Sequence, residues 1–232
     1  MDPIIEGLIK AFWLLISLDP EVYNIMLLTL RVSGTAVIVG ALLGVPIGAM
    51  VALRDFVGKS FFVSIVNTLM GLPPVVVGLF VYLLLSSSGP LGPLQLLYTP
   101  TAMIIAQLIM ALPIVVGITT STVSSVDKTI RDKALSLGAT RLQLALTILR
   151  EAKLGLLTAI IVSFGATISE VGAVMIVGGN IRWTTRVLTT AIVFETELGE
   201  FAMAIALGMI LLLLAFIVNW VLTRMQWSGL KK

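Results

Sequence analysis

Five stretches of this chain, at about residues 22–53, 61–87, 99–122, 154–177 and 199–224, run almost without charge. A bilayer core of ~30 Å is crossed by ~20 helical residues at a rise of ~1.5 Å each, so every one of these stretches is long enough to span it. Lipid leaves no partner for an unpaired backbone N–H or C=O, so all five must be helices. The expected fold class is an all-α integral membrane protein with five transmembrane helices. Composition agrees: 58% of the 232 residues are hydrophobic and 12% are charged, against about 25% charged in soluble domains.

The apolar stretch from Ile4 to Leu18 is shorter, carries Glu6 and Lys10 four residues apart, and ends at Asp19-Pro20. These features predict an N-terminal interfacial helix over residues 1–19, lying on the membrane; the alternative, a sixth span at residues 4–18, would put the N-terminus inside. The acidic start lacks the basic region of a cleaved leader, so the chain is expected to be inserted whole.

The charges that remain are clustered. Nine of the 15 basic and 12 acidic residues fall between Asp127 and Lys153. Placing that island in the cytoplasm puts eleven lysines and arginines inside (Arg54, Lys59, Lys128, Arg131, Lys133, Arg141, Arg150, Lys153, Arg224, Lys231 and Lys232). Three remain outside: Lys10, Arg182 and Arg186. The asymmetry predicts a multi-pass protein of the cell membrane with its N-terminus outside and its C-terminus cytoplasmic. Residues 225–232 are then a cytoplasmic tail.

No cysteine and no histidine are present, which removes disulfides, thiol nucleophiles and the commonest general base and metal ligand. No catalytic residue, cofactor or metal site is expected. The net charge of +3 is accounted for by the inner face, so nucleic acid is not an expected partner.

Within the spans, Gly40, Gly44 and Gly48 recur every fourth residue, a stripe that lets a second helix approach closely. Leu72-Pro73-Pro74 and Leu112-Pro113 sit mid-span, each followed by valines and a glycine. Both spans are expected to break there, because proline removes a donor and frees a carbonyl one turn earlier. Paired broken helices point to a transport path. The fourth span carries Thr167, Ser169, Glu170 and Gly172. Glu170 must face protein or water at that depth, as a gate, an ion-paired hinge or a protonated or backbone-bonded structural carboxylate. The segment 178–200, with Arg182, Trp183 and Arg186, reads as an outer docking surface or a solvated loop.

The charged island resembles the EAA loop of ABC importer permeases, whose pattern is Glu-Ala-Ala, three residues, Gly, nine residues, Ile, one residue, Leu-Pro. Asp132 stands for the Glu and Ala134 for the second Ala, while Gly138 and Ile148 fall on pattern. Lys133 replaces the first Ala, and Arg150-Glu151 stand where Leu-Pro is usual. Residues 168–174 and 72–78 look like the molybdate/tungstate branch of these permeases, and 177–180 with 185–190 resemble its tungstate-type members.

The resemblance, over about residues 20–224, implies a type I, MetI-like permease fold with a coupling loop at about 126–153. It implies a tungstate or molybdate importer in which two copies of the chain form the path. A cytoplasmic ABC ATPase dimer would engage the loop, and an extracytoplasmic oxyanion-binding protein would deliver cargo. Asp132, Lys133, Ala134, Leu135, Leu137 and Gly138 would then carry ATPase coupling; Pro73, Pro74, Pro113, Thr167, Ser169, Glu170 and Gly172 would form the path or gate. The chain has no glycine-rich phosphate loop ending in Lys-Ser/Thr, so it is expected not to be an enzyme and ATP would be hydrolysed by the partner. The alternative is a permease for sulfate, phosphate or an amino acid. Outside transport by an ATPase partner, an intramembrane hydrolase, a passive channel and a scaffold compete.

Overall fold

A computed structural model describes residues 2–228. Among them are eleven α-helices and no strand: α1 Pro3–Ile16, α2 Pro20–Leu53, α3 Lys59–Met70, α4 Pro74–Leu85, α5 Pro100–Ser124, α6 Lys128–Ser136, α7 Arg141–Glu151, α8 Lys153–Ile168, α9 Gly172–Gly178, α10 Leu188–Glu197 and α11 Phe201–Ser228. Several begin on a cap followed by proline. Asp19 accepts from the Glu21 and Val22 amides at 3.0 Å each, with Pro20 at the first helical position. Asp2-Pro3 and Thr99-Pro100 repeat the device. Each cap satisfies donors that helix geometry leaves orphaned, and proline has none to lose there.

Three helices, α2, α5 and α11, are long and apolar enough to cross a membrane; two further crossings arise if each bent pair, α3 with α4 and α8 with α9, forms one span. The bends are 97° and 59° respectively. The first lies at Leu72-Pro73, where the expected break occurs. Pro113 departs from expectation: α5 runs unbroken through it. The second bend, at Ser169–Val171, has no proline and is not signalled by one.

α2 and α5 pair along most of their length at the centre, α8 and α3 flank α5, and α4 lies on α9. One core joins Val22 and Ile25 of α2 to Phe164, Leu188, Leu207 and Ile210. A second joins Val77 and Val81 of α4 to Met103, Ala106, Ala173 and Val177. Leu42, Phe80, Leu212 and Phe216 point outward, as expected of a lipid-facing surface.

α1 packs along α11, with Gly7 so close to Ile205 that a Cβ would meet its side chain at 2.5 Å. α11 continues past the expected end at Arg224 to Ser228, and Gln226 bonds the Leu154 carbonyl at 3.1 Å. Residues 225–228 thus continue the helix; Lys231 and Lys232 lie outside the described residues. The segment 178–200 is not a solvated loop throughout, since Leu188, Thr189, Thr190 and Ala191 of α10 are buried.

Candidate functional site

The two bends are brought together. α4 and α9 start side by side, and a Cβ on Gly172 would lie 2.8 Å from Val75 Cγ2. Further along, a Cβ on Gly78 would lie 2.7 Å from the Ala173 Cα. Glycine at both positions is what allows backbone to approach backbone. Pro73 and Pro74 open α4, so the absent proline donors fall where no intrahelical partner exists anyway.

Glu170 is buried and its Oε1 accepts from the Ala173 amide at 3.0 Å. Of the readings open at this residue, the geometry is that of a backbone-bonded carboxylate at the start of α9. Its own carbonyl accepts from Thr189 Oγ1 at 2.8 Å, which ties α10 to the bend. Ser169, at the end of α8, returns its hydroxyl to the Gly165 carbonyl at 2.8 Å.

At the bend the Thr167 carbonyl accepts from the Glu170 amide at 3.2 Å, and Gln107 Nε2 of α5 also donates to it at 2.8 Å. Ser33 of α2 lies at 3.5 Å from the same oxygen. Thr167, Ser33 and Gln107 are all buried. The bend is thus held from α2, α5 and α10 at once. Gln107 went unnoticed in sequence; its signal is that it is the only amide side chain in the third apolar stretch. Pro113 lies two turns further along α5 and joins neither bend.

Gly40, Gly44 and Gly48 face Ala111, Val115 and Thr119 of α5. A Cβ on them would meet those side chains at 3.4, 2.8 and 2.7 Å.

On the segment after α9, Arg182 forks onto Glu21 at the start of α2, Nε donating to Oε1 at 2.8 Å and Nη2 to Oε2 at 2.5 Å. These bonds push the Arg182 pKa further up. Arg186 lies with Nη1 at 3.7 Å from the same carboxylate and its guanidinium 4.5 Å from the Phe194 ring centre. Sequence grouped both arginines without pairing them to Glu21, which lies 161 positions before Arg182.

The charged island folds into a helical corner. Asp127 caps α6 by accepting from the Thr129 amide at 2.8 Å and hydroxyl at 2.7 Å, which holds its carboxyl below the ordinary aspartate range. Gly138 turns at φ +78°, and Gly138 and Ala139 donate to the Leu135 and Ala134 carbonyls at 2.9 and 3.0 Å. That left-handed turn is costly for any residue with a Cβ.

A capping box between Thr140 and Gln143 then starts α7. Leu144 and Ile148 bury against Val123 and Ala152, fastening the corner to the body. Asp132 and Lys133 are exposed, Leu137 is 87% exposed and Leu135 49%. Ile130, Lys133, Ala134, Leu137 and Gln143 border an open hollow of about 540 Å³.

Comparison with known proteins adds the following. The family described as "Binding-protein-dependent transport system inner membrane component" matches residues 44–226. The tungstate uptake system permease protein TupB of Peptoclostridium acidaminophilum is 44% identical over 226 residues, covering 97% of this chain and 99% of that one. A probable anion ABC transporter permease protein of Haloferax volcanii is 49% identical over 201 residues, covering 84% and 87%. The solved inward-facing MetNI methionine ABC transporter superposes with a TM-score of 0.69 at 16% identity, covering 94% of this chain and 97% of that one. At that identity the likeness carries the fold alone.

Proposed function

Because this chain belongs to the family of binding-protein-dependent transport system inner membrane components, we propose that it forms the membrane path of an ATP-driven importer for a tetrahedral oxyanion, tungstate first and molybdate second. The cargo is inferred from the 44% identity to a tungstate uptake permease over nearly the whole of both chains. A second copy of the chain completes the path. Cytoplasmic ABC ATPase subunits supply the energy, and an extracytoplasmic binding protein delivers the anion.

The need for an ATPase follows from charge. Against ~100 mV, negative inside, a dianion entering the cell climbs roughly 4.6 kcal/mol, at ~2.3 kcal/mol per charge. Passive flow would run outward.

The observation that carries the coupling is the α6–α7 corner. It stands on a rigid base at Ile148, turns on Gly138 and leaves the apolar Leu137 uncovered in a charged surrounding. An exposed leucine at the tip of a fixed turn is suited to a groove in a soluble partner. Asp132, Lys133, Ala134 and Leu135 line the same projection. The corner then lies in the cytoplasm, with the N-terminus outside, the C-terminus inside and α1 at the outer interface. ATP-driven closure of the partner moves the corner, and α8, which follows α7 directly, carries the motion to the bend at Glu170.

Thr167, Ser169, Glu170, Gly172 and the Pro73-Pro74 bend form the gate region in this reading. Glu170 holds α9 and does not bind cargo. Pro113 belongs to the supporting helix.

Reconstitution with the ATPase and binding protein tests this directly. Tungstate is expected to stimulate ATP hydrolysis and to accumulate inside vesicles. Stimulation by sulfate, phosphate or an amino acid without response to tungstate would overturn the cargo, and uptake without nucleotide would overturn the coupling.

A further inference from the structure

Two guanidinium groups converge on one carboxylate at the start of α2. Glu21 gives both its oxygens to Arg182, so Arg186 receives only a long contact of 3.7 Å. The Arg186 side chain is 12% exposed, and its Nε is buried with no hydrogen-bond partner. Asp19, the other acid beside Arg182, spends its Oδ1 on the Glu21 and Val22 amides and lies beyond ion-pair distance of both arginines. A buried cation that shares its counter-ion is incompletely compensated. The cluster is one acceptor group short.

The scaffold that presents the two arginines is fixed. The Ile181 carbonyl accepts from the Thr184, Thr185 and Arg186 amides at 3.1, 2.9 and 3.0 Å. The fully buried Thr185 bonds the Gly178 carbonyl and accepts from the Ile181 amide. Asn180 and Trp183 hold positive φ of 49° and 66° within the same turn. Sites held this way lose little freedom when they bind.

We propose that Arg182 and Arg186 form an entry site for a tetrahedral dianion and that Glu21 is a tethered substitute anion which occupies it between arrivals. The proposal rests on the oxyanion reading above. Arginine forks match oxyanions in a two-bonded geometry, and a dianion neutralises both cations where one carboxylate cannot. A strong fixed cationic site would trap cargo that must leave again. Glu21 removes that difficulty, because its return displaces the anion after each passage.

The test uses the complete permease–ATPase complex in lipid nanodiscs, with radiolabelled tungstate and no binding protein. Glu21→Gln removes the competitor's charge and is expected to tighten tungstate binding roughly tenfold, the factor carried by one charge-assisted hydrogen bond. Adding Arg186→Gln to that variant is expected to return binding to the wild-type level. Should Glu21→Gln fail to insert, Glu21→Asp keeps the charge but shortens its reach, and intermediate tightening is expected.

Unchanged tungstate binding in the inserted variant overturns the entry site. In a second arm with the binding protein added, tighter association of the variant with it and no change toward tungstate also overturns the entry site, in favour of protein docking. Titration of the binding protein alone separates the two readings: tungstate bound there with no effect of Glu21→Gln leaves the cargo assignment standing and removes only the entry site.

Discussion

The side-chain amide of Gln107 donates to the main-chain carbonyl of Thr167 across 2.8 Å, joining α5 to the point where α8 bends into α9. That carbonyl belongs to a helix that has stopped, and at membrane depth no water replaces a lost donor. Gln107→Leu is expected to destabilise the protein by about 0.5–1.5 kcal/mol, the net loss of one buried hydrogen bond. Thermal unfolding in detergent measures it; an unchanged midpoint would show that the Glu170 amide and Ser33 satisfy the carbonyl without Gln107.

Gly48 and Gly34 make an internal comparison within α2. A Cβ on Gly48 would come within 2.7 Å of Thr119 Cβ and 2.8 Å of the Val116 carbonyl, whereas nothing lies within 4 Å of one on Gly34. Gly48→Ala is expected to cost about 1–3 kcal/mol through overpacking. Gly34→Ala is expected to gain up to about 1 kcal/mol from helix propensity. Equal effects of the two on unfolding would remove the close-packing role of the stripe.

Gly138→Val places a β-branched residue at φ +78° where space is open. The penalty is therefore conformational, roughly 1–2 kcal/mol or more, and is confined to the corner. Insertion and helix content are expected to persist while ATPase binding and uptake fall together. Normal uptake by the variant would dissociate the corner from coupling.

Glu170→Gln keeps an acceptor for the Ala173 amide, and Glu170→Ala does not. The first is expected to fold and transport close to wild type, the second to lose about 1–3 kcal/mol of stability. Loss of tungstate binding in the glutamine variant with coupling intact would make the carboxylate a cargo ligand and contradict the reading given above.

Asp127 supplies a pH test. Its carboxyl is depressed by the Thr129 amide and hydroxyl, so its contribution is full above the ordinary aspartate pKa of about 3.9 and is lost only as pH falls through the lower folded value. Association of the corner with the ATPase, measured by crosslinking, is expected to be flat from neutral pH down to that range. Asp127→Ala is expected to weaken it at every pH, and a decline centred near neutral pH would assign the dependence to another group.

Sequence and structure agree where one periodicity or one composition decides the outcome, and part where packing decides it. The apolar stretches locate the long helices because lipid admits nothing else. The Gly138 turn is readable because a glycine followed by a polar cap allows few conformations.

Pro73 and Pro113 sit in nearly the same short context, yet one bends a helix and the other does not. At the first, two successive prolines remove two donors together just after Gly71, and the residue before proline is driven from helical geometry. Pro113 lies in a helix clasped along its length by α2, whose glycines lock onto Ala111 and Val115 on either side of it. The bend at Glu170 was hidden for the opposite reason: its cause is a side chain that competes for backbone donors, which becomes visible only once Ala173 is placed beside it. Gln107 and the Glu21–Arg182 pair depend on contacts across 60 and 161 positions, beyond the reach of any local pattern.

The α4–α9 junction constrains motion as well as shape. With Gly78 against the Ala173 backbone and Gly172 against Val75, neither half-helix can slide or roll without carrying its neighbour. A change of angle at Glu170 is therefore expected to be accompanied by one at Pro73, so that two apparently separate joints would act as a single degree of freedom.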